Sequence, residues 1–330
     1  MEYRQLGKSG LRVSALGLGC NPFGNEVDKP GAANIVSAAI DNGITYFDTA
    51  NTYFAGRSEE YLGAALVGRR DDVIVATKFG NKAGPGPNDT GTSRKHIMKA
   101  VEDSLRRLQT DYIDVYQIHS PDRSVPIEET MLALDDLVRS GKVRYIGCSN
   151  MFEWEIEQAQ GFARANGLAQ FASAQDFYNI LFRDIEKRME PYCVKTGLGM
   201  IPYFPLAGGL LGGVFKRDVT PEPGSRAAIR PTFQAWNTDR NWTVQERLVD
   251  FAAERGWTLP QMSIAFLLSR PAMATVIAGA DKPEHVVENV KCLDVKFSQP
   301  DLEALDRLTL VEEDRTVAPI NQHVRGELHF

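Results

Sequence analysis

Four side chains that could work together as an acid–base group follow three successive candidate strands. Asp48, Lys78 and His119 stand at the C-terminal ends of apolar runs, and Tyr53 follows Asp48 in the next loop. The C-terminal ends of neighbouring parallel strands meet at one side of a sheet. The sequence therefore predicts that the four side chains meet, with a tyrosine placed to give a proton to a carbonyl oxygen.

These residue types suit proton transfer to an oxygen that gains charge. A phenol has a pKa near about 10, and an adjacent ammonium favours the phenolate, so we expect Lys78 to lower the pKa of Tyr53. Asp48 would keep Lys78 charged, and His119 would donate to the carbonyl oxygen. General acid catalysis of this kind contributes roughly 10²–10⁴-fold. Taken singly, the same residues could be a snorkelling lysine, a loop histidine and a turn-capping aspartate, but their convergence favours catalysis.

The elements that must position these residues alternate between short apolar runs and amphipathic segments, as in a (β/α)8 barrel. Ile97, Val101 and Leu105 recur at helical spacing. An open doubly wound sheet is the alternative, but Pro22 stands where its fingerprint needs a third glycine. We therefore predict one α/β domain over residues 1–330, a TIM barrel. Its predicted strands are Ala15–Gly19, Thr45–Asp48, Val73–Lys78, Tyr112–His119, Val143–Ser149, Phe171–Gln175, Gly199–Tyr203 and Thr275–Ala278.

Two additions to the barrel are predicted. The segment before the first strand contains a Gly-Lys-Ser-Gly turn between short alternating runs, which indicates an N-terminal β-hairpin closing the barrel floor. Residues 207–241 form a long Gly/Pro-rich loop after strand 7. Its aromatic residues Phe233 and Trp236 favour an ordered lid, and Arg226 within it could reach a phosphate.

Composition excludes several classes of partner. The 330 residues carry a net charge of −6 with both signs interspersed, so we expect no nucleic acid. The four cysteines have no metal-ligand spacing, which indicates free thiols in a reducing compartment. The polar N-terminus and the lack of a long apolar run predict a cytoplasmic protein without a membrane span.

Seven ordered segments carry a family pattern: GITYFDTANTY (43–53), VIVATK (73–78), DYIDVYQIHSPD (111–122), VRYIGCSN (143–150), QDFYN (175–179), YFPLAGGLLGG (203–213) and IAGADKPEHVVEN (277–289). With them the chain resembles the aldo-keto reductase family nearly from end to end. The resemblance implies a (β/α)8 barrel that uses a nicotinamide dinucleotide, and no metal, to interconvert aldehydes or ketones with alcohols. It also implies that Tyr53 is the proton donor, with Asp48, Lys78 and His119 as its partners.

The resemblance assigns cofactor contacts along the same chain. Ser149, Asn150 and Gln175 would hold the nicotinamide carboxamide, and Tyr203 would stack on the nicotinamide ring, as suits an aromatic side chain and a cationic ring. The pyrophosphate would lie against Leu206, Gly208 and Leu210, and the adenosine end against Gly279, Lys282, His285, Glu288 and Asn289. We expect NADP rather than NAD, with NAD possible because Asp281 could accept from a free 2′-hydroxyl while Lys282 favours a 2′-phosphate.

Departures from the family pattern bear on the substrate. Phe54 stands where glycine is common, and with Phe23 and Trp236 it predicts an aromatic-lined pocket for a bulky apolar small-molecule carbonyl. One alternative is a dinucleotide-binding, redox-sensing regulatory subunit, because some members resemble potassium-channel beta subunits. A second alternative, a lyase that uses Lys78 as a Schiff-base amine, leaves the dinucleotide motifs unused.

Overall fold

A computed structural model describes residues 1–213, 215–217, 219 and 236–309. The chain begins with an antiparallel hairpin of β1 (Tyr3–Gln5) and β2 (Arg12–Ser14). Leu6 and Val13 of this hairpin are buried together with Ile74, Val115 and Ile201 of the following strands. The predicted hairpin is therefore present, and its apolar residues close the floor of the sheet.

Eight parallel strands form one sheet that curves into a barrel. The sheet runs in the order β10-β3-β4-β5-β6-β7-β8-β9, so strands adjacent in sequence are adjacent in space. Their bounds are β3 Leu16–Gly19, β4 Tyr46–Asp48, β5 Ile74–Phe79, β6 Ile113–Ile118, β7 Val143–Ser149, β8 Phe171–Phe177, β9 Gly199–Tyr203 and β10 Val276–Gly279. The predicted (β/α)8 barrel is confirmed, and all eight predicted strands are present.

A backbone bridge closes the barrel between β9 and β10. The Met200 amide donates to the carbonyl oxygen of Ala272 at 2.9 Å, and the Ala274 amide donates to Met200 at the same distance. These two bonds lie on either side of Met273, just before β10 begins. We call residues 200 and 272–274 the seam.

Helices cover the outside of the barrel. They are α1 Lys29–Asp41, α2 Arg57–Ala65, α3 Arg94–Leu108, α4 Ile127–Arg139, α5 Glu153–Asn166, α6 Met189–Thr196, α7 Asp239–Ala253, α8 Leu259–Leu268, α9 Pro283–Val290 and α10 Gln299–Thr309. Ile97, Val101 and Leu105 are buried on one face of α3, as their spacing predicted. Among the described residues, no helix is long and apolar enough to cross a bilayer. Arg226 and Phe233 lie outside the described residues.

Candidate active site

Strand register brings the predicted acid–base residues to one end of the barrel. Side chains alternate along a strand, so residues two apart share a face. Asp48 follows the interior residue Tyr46 by two positions, and Lys78 follows the interior residue Ala76 by two. His119 comes directly after β6. The alternation therefore turns Asp48 and Lys78 inward at the C-terminal mouth of the barrel.

Lys78 is the centre of the group. Its side chain is 0% exposed, and its ammonium pairs with the Asp48 carboxylate. The ammonium also donates to the carbonyl oxygen of Thr49 at 2.9 Å and to the Tyr53 hydroxyl at 3.4 Å. The Tyr53 and His119 rings meet edge to face with centroids 5.8 Å apart. The four predicted residues therefore lie together in the structure.

Burial and charge oppose each other at this group. Burial alone would lower the pKa of Lys78, but the Asp48 carboxylate and the Tyr53 oxygen raise it above its ordinary value. Burial also raises the pKa of Tyr53, although the Lys78 ammonium acts in the other direction. The prediction of a lowered Tyr53 pKa is therefore wrong, because loss of hydration outweighs the neighbouring charge. At neutral pH the pair is an ammonium beside a protonated phenol.

His119 is a neutral imidazole at ordinary pH. Burial and the Lys78 ammonium lower its pKa from 6.5 to about 3. Its Nδ1 atom is buried and has no hydrogen-bond partner within the described part of the chain. A neutral imidazole can still donate one hydrogen bond from the nitrogen that carries its proton.

Two glutamines complete the Asp48 environment. The second carboxylate oxygen, Oδ2, accepts from the amide of Gln117 at 3.1 Å and from the amide of Gln175 at 2.9 Å. Gln117 was missed in the sequence. The sequence could have indicated it, because Gln117 is a polar residue in the wholly buried strand β6. It stands two positions before His119 and thus on the same face.

An unusual turn holds Tyr53. Phe54 and Ala55 have φ values of 48° and 57°, and Gly56 has a φ of 89°. Left-handed backbone costs an L residue roughly 1–2 kcal/mol. A Cβ on Gly56 would lie 2.6 Å from Cδ of Arg107, so this glycine also permits a close approach. The turn places Tyr53 near Lys78 at some conformational cost.

A cavity of about 380 Å³ opens over these side chains. Residues after β3 to β6 form one half of its wall, and residues from the ends of β7 to β10 form the other. The first half comprises Gly19, Asn21, Pro22, Asp48, Tyr53, Asn81, His119 and Ser120. The second half comprises Ser149, Asn150, Gln175, Tyr203, Phe204, Pro205, Leu206, Gly208, Gly209, Ile277 and Gly279.

The second half contains most of the residues that we expected to hold a dinucleotide. The Tyr203 hydroxyl donates to the Asn150 side chain at 2.7 Å, and Asn150 donates to the Ser149 hydroxyl at 3.0 Å and to the His119 carbonyl at 2.9 Å. The ring of Tyr203 is therefore fixed against the cavity. Leu210 is instead buried in the core.

Gly279 lines the cavity, whereas the other residues expected at the adenosine end lie on and beside α9, outside the described wall. Asn289 donates to the Gly279 carbonyl at 3.4 Å, which links the helix to the cavity rim. His285 pairs with Asp281. Glu288 accepts from Gln261 at 2.7 Å, and Lys282 directly precedes the helix.

The aromatic substrate wall differs from the prediction. Phe23 is 0% exposed and belongs to the core. Trp236 is 1% exposed and packs on Phe177 and Phe204, with ring centroids 5.2 Å and 5.4 Å away. Neither lines the described cavity, because packing draws both rings inward behind its wall. Phe54 is half-buried and also lies outside the described lining.

Part of the cavity wall that we expected to be aromatic consists of polar side chains that the sequence analysis did not single out. Asn21, Asn81 and Ser120 are half-buried and line the half of the cavity that holds Tyr53 and His119. Within the described chain, their side chains take part in no hydrogen bond. Their signal was position alone, since each follows the C-terminal end of a predicted strand.

Fold and site define the class of protein. The model of the aldo/keto reductase family matches residues 15–309. The chain belongs to this family and is an NAD(P)H-dependent oxidoreductase.

Curated relatives cover nearly the whole chain. Versiconal hemiacetal acetate reductase of Aspergillus parasiticus is 35% identical, covering 93% of this chain and 96% of its own. The aldo-keto reductase dtxS3 of Metarhizium robertsii is 38% identical, covering 82% and 81%. An Arabidopsis thaliana protein named "Probable voltage-gated potassium channel subunit beta" is 38% identical, covering 89% and 92%.

Proposed function

We propose that the chain interconverts an aldehyde or ketone with its alcohol by using NADP(H), with Tyr53 as general acid and base. One observation carries the proposal: the fully buried Lys78 ammonium lies 3.4 Å from the Tyr53 hydroxyl and pairs with Asp48 on its other side. Tyr53 and His119 both line the cavity, so a carbonyl oxygen there can reach both.

Each residue then has one task during reduction. A nicotinamide held against Ser149, Asn150 and Gln175 would supply the hydride for the carbonyl carbon. Tyr53 gives its proton to the carbonyl oxygen, and the Lys78 ammonium stabilises the phenolate that remains. His119 donates a hydrogen bond that orients the oxygen. A proton from solvent restores the phenol. In alcohol oxidation Tyr53 first gives up its proton to solvent, and the phenolate, stabilised by the Lys78 ammonium, then takes the proton of the alcohol.

The second half of the cavity suits a nicotinamide chemically. The carboxamide needs both acceptors and donors, which Ser149, Asn150 and Gln175 provide, and Tyr203 offers a flat face. The adenosine end would lie toward α9. We propose NADP as the preferred cofactor, with Lys282 facing the 2′-phosphate. The comparison is kcat/KM with NADPH and NADH, and a much higher value with NADH would refute this preference.

The mixed wall of the cavity supports a bulky substrate with an apolar body and one oxygen near its carbonyl. Phe204 and Ile277 offer apolar surface, whereas Asn81 and Ser120 offer hydrogen bonds in the half of the cavity that holds Tyr53. This revises the expectation of an aromatic-lined pocket. Parallel assays of simple aryl aldehydes and of their α-hydroxy counterparts test the revision, and equal kcat/KM for both series would contradict it.

The catalytic proposal is tested by a carbonyl panel with NADPH and by Tyr53→Phe. The variant is expected to lose roughly 10²–10⁴-fold in kcat because the proton donor is gone. Its NADPH affinity is expected to stay within a factor of about two, since the ring remains. Retained turnover would remove Tyr53 from the mechanism.

The channel-subunit relative supports a second candidate, a dinucleotide-binding regulatory subunit. The same panel separates the two. Tight NADPH binding without turnover of any carbonyl would favour the regulatory role.

We further propose a cytoplasmic location, supported by four cysteines that are all free and buried.

A further inference from the structure

Asp48 has two separate groups of partners. One carboxylate oxygen faces the Lys78 ammonium, and the other accepts two amide hydrogens, from Gln117 and Gln175. Both glutamines are almost completely buried, at 0% and 3% exposure. Each therefore depends on protein partners rather than on water for its hydrogen bonds.

The carboxylate fixes which way both amides point. An ionised carboxylate only accepts, so the atom that each glutamine turns toward Asp48 must be its nitrogen. The Gln175 nitrogen also lies 3.4 Å from the amide oxygen of Gln117. Gln175 is thus held by two acceptors at once, and its oxygen has no donor among the described residues. Because Gln175 lines the cavity, it presents an acceptor to whatever binds there.

We infer that Gln117 is a positioning residue that couples dinucleotide binding to the proton-transfer pair. It holds the Gln175 oxygen toward a carboxamide N–H and anchors the oxygen of Asp48 that faces away from Lys78. The inference rests on the proposed function. The inference adds Gln117 to the site. It also gives Asp48 a second role, because one of its oxygens orients Lys78 and the other orients the Gln175 amide that would contact the cofactor.

Register supports this role. Gln117 lies directly opposite Lys78 on the neighbouring strand and opposite Gly147 on the other side. A Cβ on Gly147 would lie 3.2 Å from Cγ of Gln117. The glycine leaves room for the glutamine side chain, which starts on β6 and reaches past β7 toward Gln175 on β8.

The test is a double-mutant cycle on the equilibrium Kd for NADPH, read by fluorescence titration without turnover. Gln117→Leu is expected to raise Kd about 3–10-fold, which is the effect of one lost hydrogen bond. In a Gln175→Leu background the same change should have no effect, because the contact that it positions is gone. The kcat at saturating NADPH is expected to fall less than Kd rises.

Gln160→Leu provides the matched control. Gln160 is similarly buried, but it bonds the backbone of Phe171 away from the cavity, so its loss should leave Kd unchanged. If Gln117→Leu does not fold, Gln117→Met replaces it with an unbranched side chain. An unchanged Kd in a folded variant, or an undiminished effect in the Gln175→Leu background, overturns the inference. Wild-type protein that binds no NADPH, or that turns over no carbonyl, counts instead against the proposed function.

Discussion

The side chains of Lys78 and Asp48 both lose their hydration when the chain folds, and the charge of each compensates for the buried charge of the other. Both are almost fully buried, so removal of one partner leaves an uncompensated charge in a medium of low polarity. The charge of Lys78 also keeps the pKa of Tyr53 from rising as far as burial alone would raise it. The Lys78 ammonium therefore both stabilises the buried Asp48 carboxylate and acts on the proton donor Tyr53.

Lys78→Met should separate these roles when it is combined with a second change. Alone it is expected to reduce the free energy of unfolding by about 3–5 kcal/mol, because Asp48 stays buried without its partner. Adding Asp48→Asn should recover most of that stability, since no charge remains and the amide oxygen of asparagine can still accept from Gln117 and Gln175. Neither variant should regain turnover. Denaturant unfolding with parallel assays measures both, and recovered activity in the double variant would contradict the role of Lys78.

His119 makes the stability of the fold depend on pH. The pKa of His119 in the folded chain is about 3, below its ordinary value of 6.5. Between these two values the imidazole binds a proton in the unfolded chain but not in the folded chain. The stability that His119 contributes is present above about pH 6.5 and is lost as the pH falls toward about 3. His119→Gln should thus lose less unfolding free energy than wild type between about pH 7 and about pH 5. Identical slopes for the two proteins would refute the buried neutral imidazole.

At the scale of elements, close helix packing selects glycine at one position and merely tolerates it at another. A Cβ on Gly63 in α2 would lie 2.5 Å from the carbonyl oxygen of Leu108, the last residue of α3. A Cβ on Gly161 in α5 would meet only the Arg164 guanidinium, at 3.8 Å. The two helices therefore respond oppositely to the same substitution.

Gly63→Ala is expected to destabilise the protein by about 1–3 kcal/mol, because backbone must move to admit the methyl group. Gly161→Ala should stabilise it by about 0.5–1 kcal/mol, since alanine favours a helix and the space is open. Urea unfolding of both variants beside wild type checks the pair. A change of the same sign in both would contradict the packing of α2 on α3.

The barrel strands were predictable because most are short runs buried on both faces, and the barrel follows from their alternation with helices. The tetrad was predictable because strand ends meet wherever the order is sequential. The left-handed backbone of Phe54 and Ala55 was not, because local preference opposes it. Nor were the core positions of Phe23 and Trp236, since a loop side chain can turn to either side of a wall.

At the scale of the whole molecule, the barrel mouth has two halves and one weak junction. The proton-transfer residues lie at or just after the C-terminal ends of β4 to β6, whereas most of the expected cofactor residues lie at or after the ends of β7 to β10. Asp48 and Gln175 join the halves across the interior. Near the N-terminal ends of β9 and β10, the seam joins the two strands through the two bonds of Met200. Tyr203 and Gly279, which end these strands, both line the cavity.

A dinucleotide lying across the ends of β9 and β10 would brace the seam. At a free NADPH concentration of about one hundred times Kd, the gain in stability is expected to be about 2.7 kcal/mol. We expect the unfolding transition to remain single, as for one domain. The Met200 and Ala274 amides should show as much slowing of hydrogen exchange as the Ile146 amide of β7, because opening at the seam, like global unfolding, would then require loss of the cofactor. Less slowing at Met200 and Ala274 than at Ile146 would mean that NADPH stabilises the barrel without bridging the seam.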